Sequence, residues 1–144
     1  MPASQPEEIL LVEDNSCDAE MTVWALEKNQ LSRGLHRVKD GAEALTFLFP
    51  QGGSGSAGSL KAVLLDIKLP LVDGIEVLKR IKSDPELKRV PVIILTSSSE
   101  PKDREVCYAL GVNSYVVKPL EFEEFVSTVG LLARYWLKVN CSCQ

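Results

Sequence analysis

The chain has 144 residues, of which 45% are hydrophobic and 25% charged. That is the size and composition of one globular domain and excludes a disordered chain. Sixteen basic against twenty acidic side chains give a net charge of −4 and a pI near 5.1, a balance that disfavours nucleic acid as a partner.

Taken in chain order, the first residues, MPASQPEEIL, lack the basic and then apolar pattern of a secretory signal. No apolar run is long enough to cross a bilayer, so a cytoplasmic, membrane-free protein is expected. Short runs rich in Val, Ile and Leu occur at 9–12, 62–65, 92–95 and 115–117, with a weaker one at 35–38. Continuous apolar runs of this length suit strands buried on both faces of a parallel sheet.

Helical spacing fills the gaps. Cys17, Met21 and Trp24 share one face, as do Gly74, Val77, Leu78 and Ile81. Asp40 and Gly41 precede a short helix carrying Ala44, Leu45 and Leu48, and Pro101 opens another as a first-turn proline. A last stripe runs through Phe122, Phe125, Val126, Val129 and Trp136. The repeated β-α order predicts an α/β protein with a parallel sheet.

Residues 51–59, QGGSGSAGS, read as a flexible loop. They contain a G-x-G-x-x-G match, but a dinucleotide fingerprint needs a strand before it and a helix after it, and here the order is reversed. The expected organisation is a flexible tail over 1–7, one domain over 8–137 and a C-terminal tail over 138–144. One histidine, His36, has no visible partner to make it catalytic. The cysteines Cys17, Cys107, Cys141 and Cys143 are read as free thiols, with Cys141-x-Cys143 in a reduced tail.

In open α/β sheets, ligands sit beyond the carboxyl ends of the strands. The first run ends in Glu13-Asp14, the third in Asp66, the fourth in Thr96-Ser97-Ser98 and the fifth in Lys118-Pro119. Three carboxylates in one crevice repel one another, and a hard cation relieves the repulsion. Mg²⁺ suits a site with few carboxylates, several waters and phosphate oxygens. A carboxylate can itself attack phosphorus to form an aspartyl phosphate. Lys118 and the cation would then supply positive charge, and Thr96 a hydroxyl donor. The ensemble reads as a phosphoryl acceptor.

ILLVEDN, VKDGAEAL, LLDIKLPLVDG, VIILTSSS and SYVVKP occur in one order and spacing. In these the chain resembles the receiver domain of two-component response regulators over residues 8 to 137. The resemblance implies a doubly wound, flavodoxin-like (βα)5 sandwich with strand order 2-1-3-4-5. It implies phosphorylation at Asp66 by a sensor histidine kinase or a phosphotransfer protein, slow autodephosphorylation, and Mg²⁺ held by Glu13, Asp14, Asp66 and the Lys68 carbonyl. It further implies phosphoryl stabilisation by Thr96, Ser97 and Lys118, switching through Thr96 and Tyr115, and a cis bond between Lys118 and Pro119. The switch would remodel the face of the fourth helix, fifth strand and fifth helix, which could also carry a homodimer.

Two departures stand out. Lys68 is a long cation where many relatives carry a smaller or neutral residue, and it is expected to alter phosphoryl lifetime. The glycine-rich loop adds length without evident chemistry. Glu13-Asp14, DIKLP, the long loop and a C-terminal Trp resemble the small regulators paired with bacterial phytochromes. Residues 119–144 fit one helix, 121–135, and a tail, leaving no room for an output domain, so docking or phosphorelay is expected. Two other readings compete: a docking module of the same fold that is never phosphorylated, and an unrelated α/β enzyme. No G-x-S-x-G elbow and no phosphate-binding P-loop supports the enzyme.

Overall fold

The computed structural model describes residues 7–50 and 60–143. The expectations for the first six residues, for the glycine-rich loop 51–59 and for residue 144 lie outside them. The chain alternates β1 (Glu8–Val12), α1 (Ser16–Lys28), β2 (Gly34–Val38), α2 (Gly41–Leu48), β3 (Leu60–Leu65), α3 (Gly74–Ser83), β4 (Val92–Thr96), α4 (Pro101–Ala109), β5 (Ser114–Val117) and α5 (Phe122–Arg134). A 3-10 turn, Leu87–Arg89, precedes β4, and a π-helical turn, Tyr135–Val139, continues α5. That turn carries regular structure two residues beyond the expected boundary at 137.

The strands form one parallel sheet in the order β2-β1-β3-β4-β5, the order that the resemblance to receiver domains implies. Side chains alternate across a strand, and both sets here are apolar. Leu10, Val12, Val63, Leu65, Val92 and Ile94 pack with Ala44, Leu48, Val77, Leu78, Ile81 and Cys107 of α2, α3 and α4. Ile9, Leu11, Ala62, Leu64 and Ile93 turn the other way, onto Ala19 and Leu26 of α1 and Ala133 of α5. Leu95 joins Ala25, Phe125, Val126 and Val129 on that same side. Two buried faces explain why the strands read as continuous apolar runs.

Local signals set the helix starts. The Asn15 side chain accepts from the Asp18 N–H (2.9 Å) at the head of α1. Asp40 caps α2 by accepting from Glu43 N–H (2.8 Å), and the Glu43 carboxylate accepts in return from Lys39 N–H (2.8 Å). Pro101 stands at the first turn of α4, where its missing N–H costs nothing.

Burial does not follow apolar spacing everywhere. The buried face of α1 is Ala19, Thr22, Ala25 and Leu26, whereas Cys17 and Trp24 are exposed. Small residues let α1 approach the sheet closely, so the large Trp24 turns outward against Phe122 (ring centroids 5.4 Å apart). Phe122, also placed in the apolar stripe, is accordingly exposed at the head of α5. His36 takes a structural place: its Nε2 lies 2.8 Å from Glu8 Oε1 across the β1–β2 edge, and its ring packs against Phe47.

Candidate functional site

The right-handed crossovers of a parallel sheet bring its strand ends to one edge. Glu13 and Asp14 follow β1, Asp66 follows β3, Thr96 closes β4 and Lys118 follows β5. Glu13, Asp66 and Thr96 are buried, while Asp14 is exposed. One carboxylate oxygen from each of Glu13, Asp14 and Asp66 falls within 4.8 Å of the others. This all-oxygen set, half in water, fits a hard divalent cation.

Burial pushes the Glu13 carboxyl up to about 7. The hydrogen bond and charge of Lys118 pull it down, and the neighbouring Asp66 charge adds to the rise. Backbone donors steady the cluster: Asn15 N–H donates to Glu13 Oε2 (3.2 Å) and Lys68 N–H to Asp66 Oδ1 (3.1 Å). Arg37 of β2 donates to the Glu13 carbonyl oxygen (2.9 Å from Nη2).

Lys118 is the cation at the centre. Its side chain is 8% exposed, and Nζ lies 2.9 Å from Asp66 Oδ2, 2.9 Å from Glu13 Oε1 and 2.7 Å from Asp18 Oδ2. Burial by itself lowers an ammonium's pKa, but the hydrogen bonds to Asp18, Asp66 and Glu13 outweigh it and hold Lys118 above the ordinary lysine value. Its backbone N–H donates to Thr96 O (2.7 Å). The bond to Pro119 is trans, not the expected cis. The two isomers of such a bond differ by only ~0.5–1 kcal/mol, so local context decides. Here both nitrogens of Lys118 reach their partners with the trans bond in place.

The β4–α4 loop forms the other wall. Thr96 Oγ1 accepts from Ser98 N–H (3.3 Å), and Ser97 is exposed. Ser98 Oγ donates to Asp103 Oδ2 (2.6 Å), and Tyr115 Oη donates to the Ser98 carbonyl oxygen (2.9 Å). The Lys68 ammonium lies 3.4 Å from Asp103 Oδ2, so its head leans onto α4. The Ser98 hydrogen bond leads the interactions that hold the Asp103 carboxyl below its ordinary value.

Glu13, Asp14, Asp66, Thr96, Ser97 and Lys118 therefore lie together at this edge, and Tyr115 reaches it through Ser98. The sequence reading missed Asp18, which makes the shortest contact with Lys118, and Asp103. Asp18 lies in the first turn of α1, just after the Asn15 cap. An acid in a first helical turn also satisfies the helix dipole, and that role hid the signal.

The response regulator receiver domain family matches the chain over residues 9–130. The chain belongs to that family. The receiver is 40% identical over 142 residues to the probable methanogenesis regulatory protein FilR2 of Methanothrix harundinacea, covering 99% of this chain and 91% of that one. It superposes on the phosphorylated cyanobacterial phytochrome response regulator RcpA with a TM-score of 0.89 and 35% identity, over 97% of this receiver and 100% of that chain. The Mn²⁺-bound form of response regulator Rcp1 gives a TM-score of 0.85 at 34% identity, over 96% and 100% of the two chains. The receiver is thus a two-component signalling protein similar to phytochrome response regulators, with an acidic cluster suited to a divalent cation. Among the described residues no helix is long and apolar enough to cross a membrane.

Proposed function

We propose that this receiver accepts a phosphoryl group on Asp66 in a Mg²⁺-dependent reaction and changes its outer face in response. The observation that carries the reading is the 2.9 Å contact between Lys118 Nζ and Asp66 Oδ2 beside the Glu13–Asp14–Asp66 cluster. Glu13, Asp14, Asp66 and the Lys68 carbonyl would hold the cation, which supplies charge to phosphoryl oxygens when bound. An Asp66 oxygen attacks the phosphorus of a phosphohistidine. The P–N bond breaks, the imidazole leaves, and an acyl phosphate remains on Asp66. Lys118 is the ammonium in reach of the new oxygens, and Thr96 and Ser97 supply hydroxyl donors from the facing loop. Slow hydrolysis, water attacking phosphorus with loss of the P–O bond to Asp66, returns the carboxylate.

The switch would run through Thr96 and Tyr115. As Thr96 turns to the phosphoryl group, Ser98, which donates to Thr96 Oγ1 and accepts from Tyr115, loses its present arrangement. Tyr115 is then released to a new position, a local charge event biasing a two-state loop. A sensor histidine kinase, of phytochrome type by similarity to the relatives above, or a phosphotransfer protein would be the donor. The groove of about 790 Å³ between α1 and α5, lined by Trp24, Phe122, Leu131 and Tyr135, supports docking at the first helix.

Intact mass after incubation with acetyl phosphate tests the reaction. One phosphoryl adduct that requires Mg²⁺ and is absent from Asp66→Asn is expected. No adduct in the wild type would favour a docking module of the same fold that is never phosphorylated. Exposed Tyr108, Val117 and Leu120 on the α4–β5–α5 face support a homodimer there. Sedimentation velocity should then show a heavier species on phosphorylation, and an unchanged monomer would rule the dimer out.

A further inference from the structure

The geometry points to Asp18 as a positioning residue that gives the Lys118 ammonium an acceptor outside the metal ligands, so that the ammonium can release them to the cation. The inference rests on the Mg²⁺-dependent reading above. An ammonium has three donors, and those of Lys118 go to three carboxylates. Two of these, Glu13 and Asp66, belong to the acidic cluster, so Lys118 and an incoming cation draw on the same ligands. Asp18 is outside that cluster and makes the shortest of the three contacts, 2.7 Å.

Its own placement is fixed by the helix that carries it. Asp18 N–H donates to the Asn15 cap (2.9 Å), and Thr22 Oγ1 donates to the Asp18 carbonyl oxygen (2.8 Å). Asp18 therefore offers the ammonium a rigid acceptor that neither cation binding nor phosphorylation of Asp66 removes. When the cation takes Glu13 and Asp66, Lys118 keeps a partner and stays in the crevice, within reach of a phosphoryl group. Without Asp18 its acceptors in the structure would be the cation's own ligands, and ammonium and cation would compete for them.

Calorimetric titration of Mg²⁺ into wild type, Asp18→Asn, Lys118→Met and the double variant tests this, with circular dichroism reporting folding. Asp18→Asn should weaken Mg²⁺ binding about tenfold, equivalent to ~1.4 kcal/mol. In the Lys118→Met background the same change should cost no more than about twofold, because the ammonium through which Asp18 acts is gone and the two substitutions are then non-additive. Unchanged binding in Asp18→Asn overturns the proposal. So does an equal loss in both backgrounds, which would reduce Asp18 to one more negative charge near the cation. Should Asp18→Asn fail to fold, Lys118→Met decides alone. Removing a competing ammonium must leave Mg²⁺ binding tighter, and equal or weaker binding overturns the proposal. A wild type that binds no Mg²⁺ defeats the underlying reading as well, a result distinct from the others.

Discussion

Cys107 is fully buried in the layer between the sheet and α3–α4, and burial pushes its thiol up to about 11, with the charges of Asp103 and Asp73 adding to the rise. The fold therefore favours the neutral thiol. Stability is whole below the ordinary cysteine value of 9.0 and falls as pH rises from there towards about 11, by roughly 2–3 kcal/mol. Urea melts across that alkaline range measure the loss, and Cys107→Ser should flatten the slope. Iodoacetamide should modify the exposed Cys17, Cys141 and Cys143 in the native protein, adding a fourth adduct only after denaturation. A fourth native adduct would contradict the burial. Other residues show how far the sequence could be read at this scale. Glu13, Asp66 and Lys118 were legible because strand ends converge whatever their side chains do. Asp18 was not, since its partner lies 100 positions away and no local period announces such a pairing.

The loop from β3 to α3 carries two demands at the scale of the element. Leu71 sits at φ +67° with its side chain 82% exposed. That backbone region is strained for a side chain and free for glycine. Leu71→Gly should stabilise the fold by about 1 kcal/mol, strain relief outweighing the entropy glycine loses, as chemical denaturation would show. A loss of stability would mean that the leucine packs on the neighbouring Val38 and Phe47 strongly enough to offset its strain. Three residues on, α3 begins at Gly74, where a Cβ would collide with the Asp66 carbonyl oxygen and Ile67 Cα. The helix start thus presses on the chain that carries Asp66. Helix existence and most starts were readable from caps and spacing. The facing of α1 was not, because burial there follows small size and closeness to the sheet rather than the largest apolar side chains.

A parallel sheet and the edge that carries the site could be anticipated for the whole molecule from apolar runs ending in polar residues, whereas the strand order came from the resemblance to receiver domains. Chain connectivity leaves few ways to arrange five β-α units. Surface features were harder to foresee. Trp24 and Phe122 each lie on a stripe of helical spacing, yet they meet in the open at the rim of the α1–α5 groove. Periodicity reports that a face is apolar and not what covers it.

The three carboxylates that contact Lys118 are all encoded before it, Asp66 by 52 positions and Asp18 by 100. A ribosome adding about 5–20 residues per second leaves an interval of roughly 3–10 s between making Asp66 and making the lysine that balances it. During synthesis the acidic pocket is a concentration of unbalanced charge on an incomplete sheet, since β4 and β5 arrive within the same interval. The ammonium that contacts Glu13, Asp18 and Asp66 therefore joins the pocket only after β4 and β5 have been made.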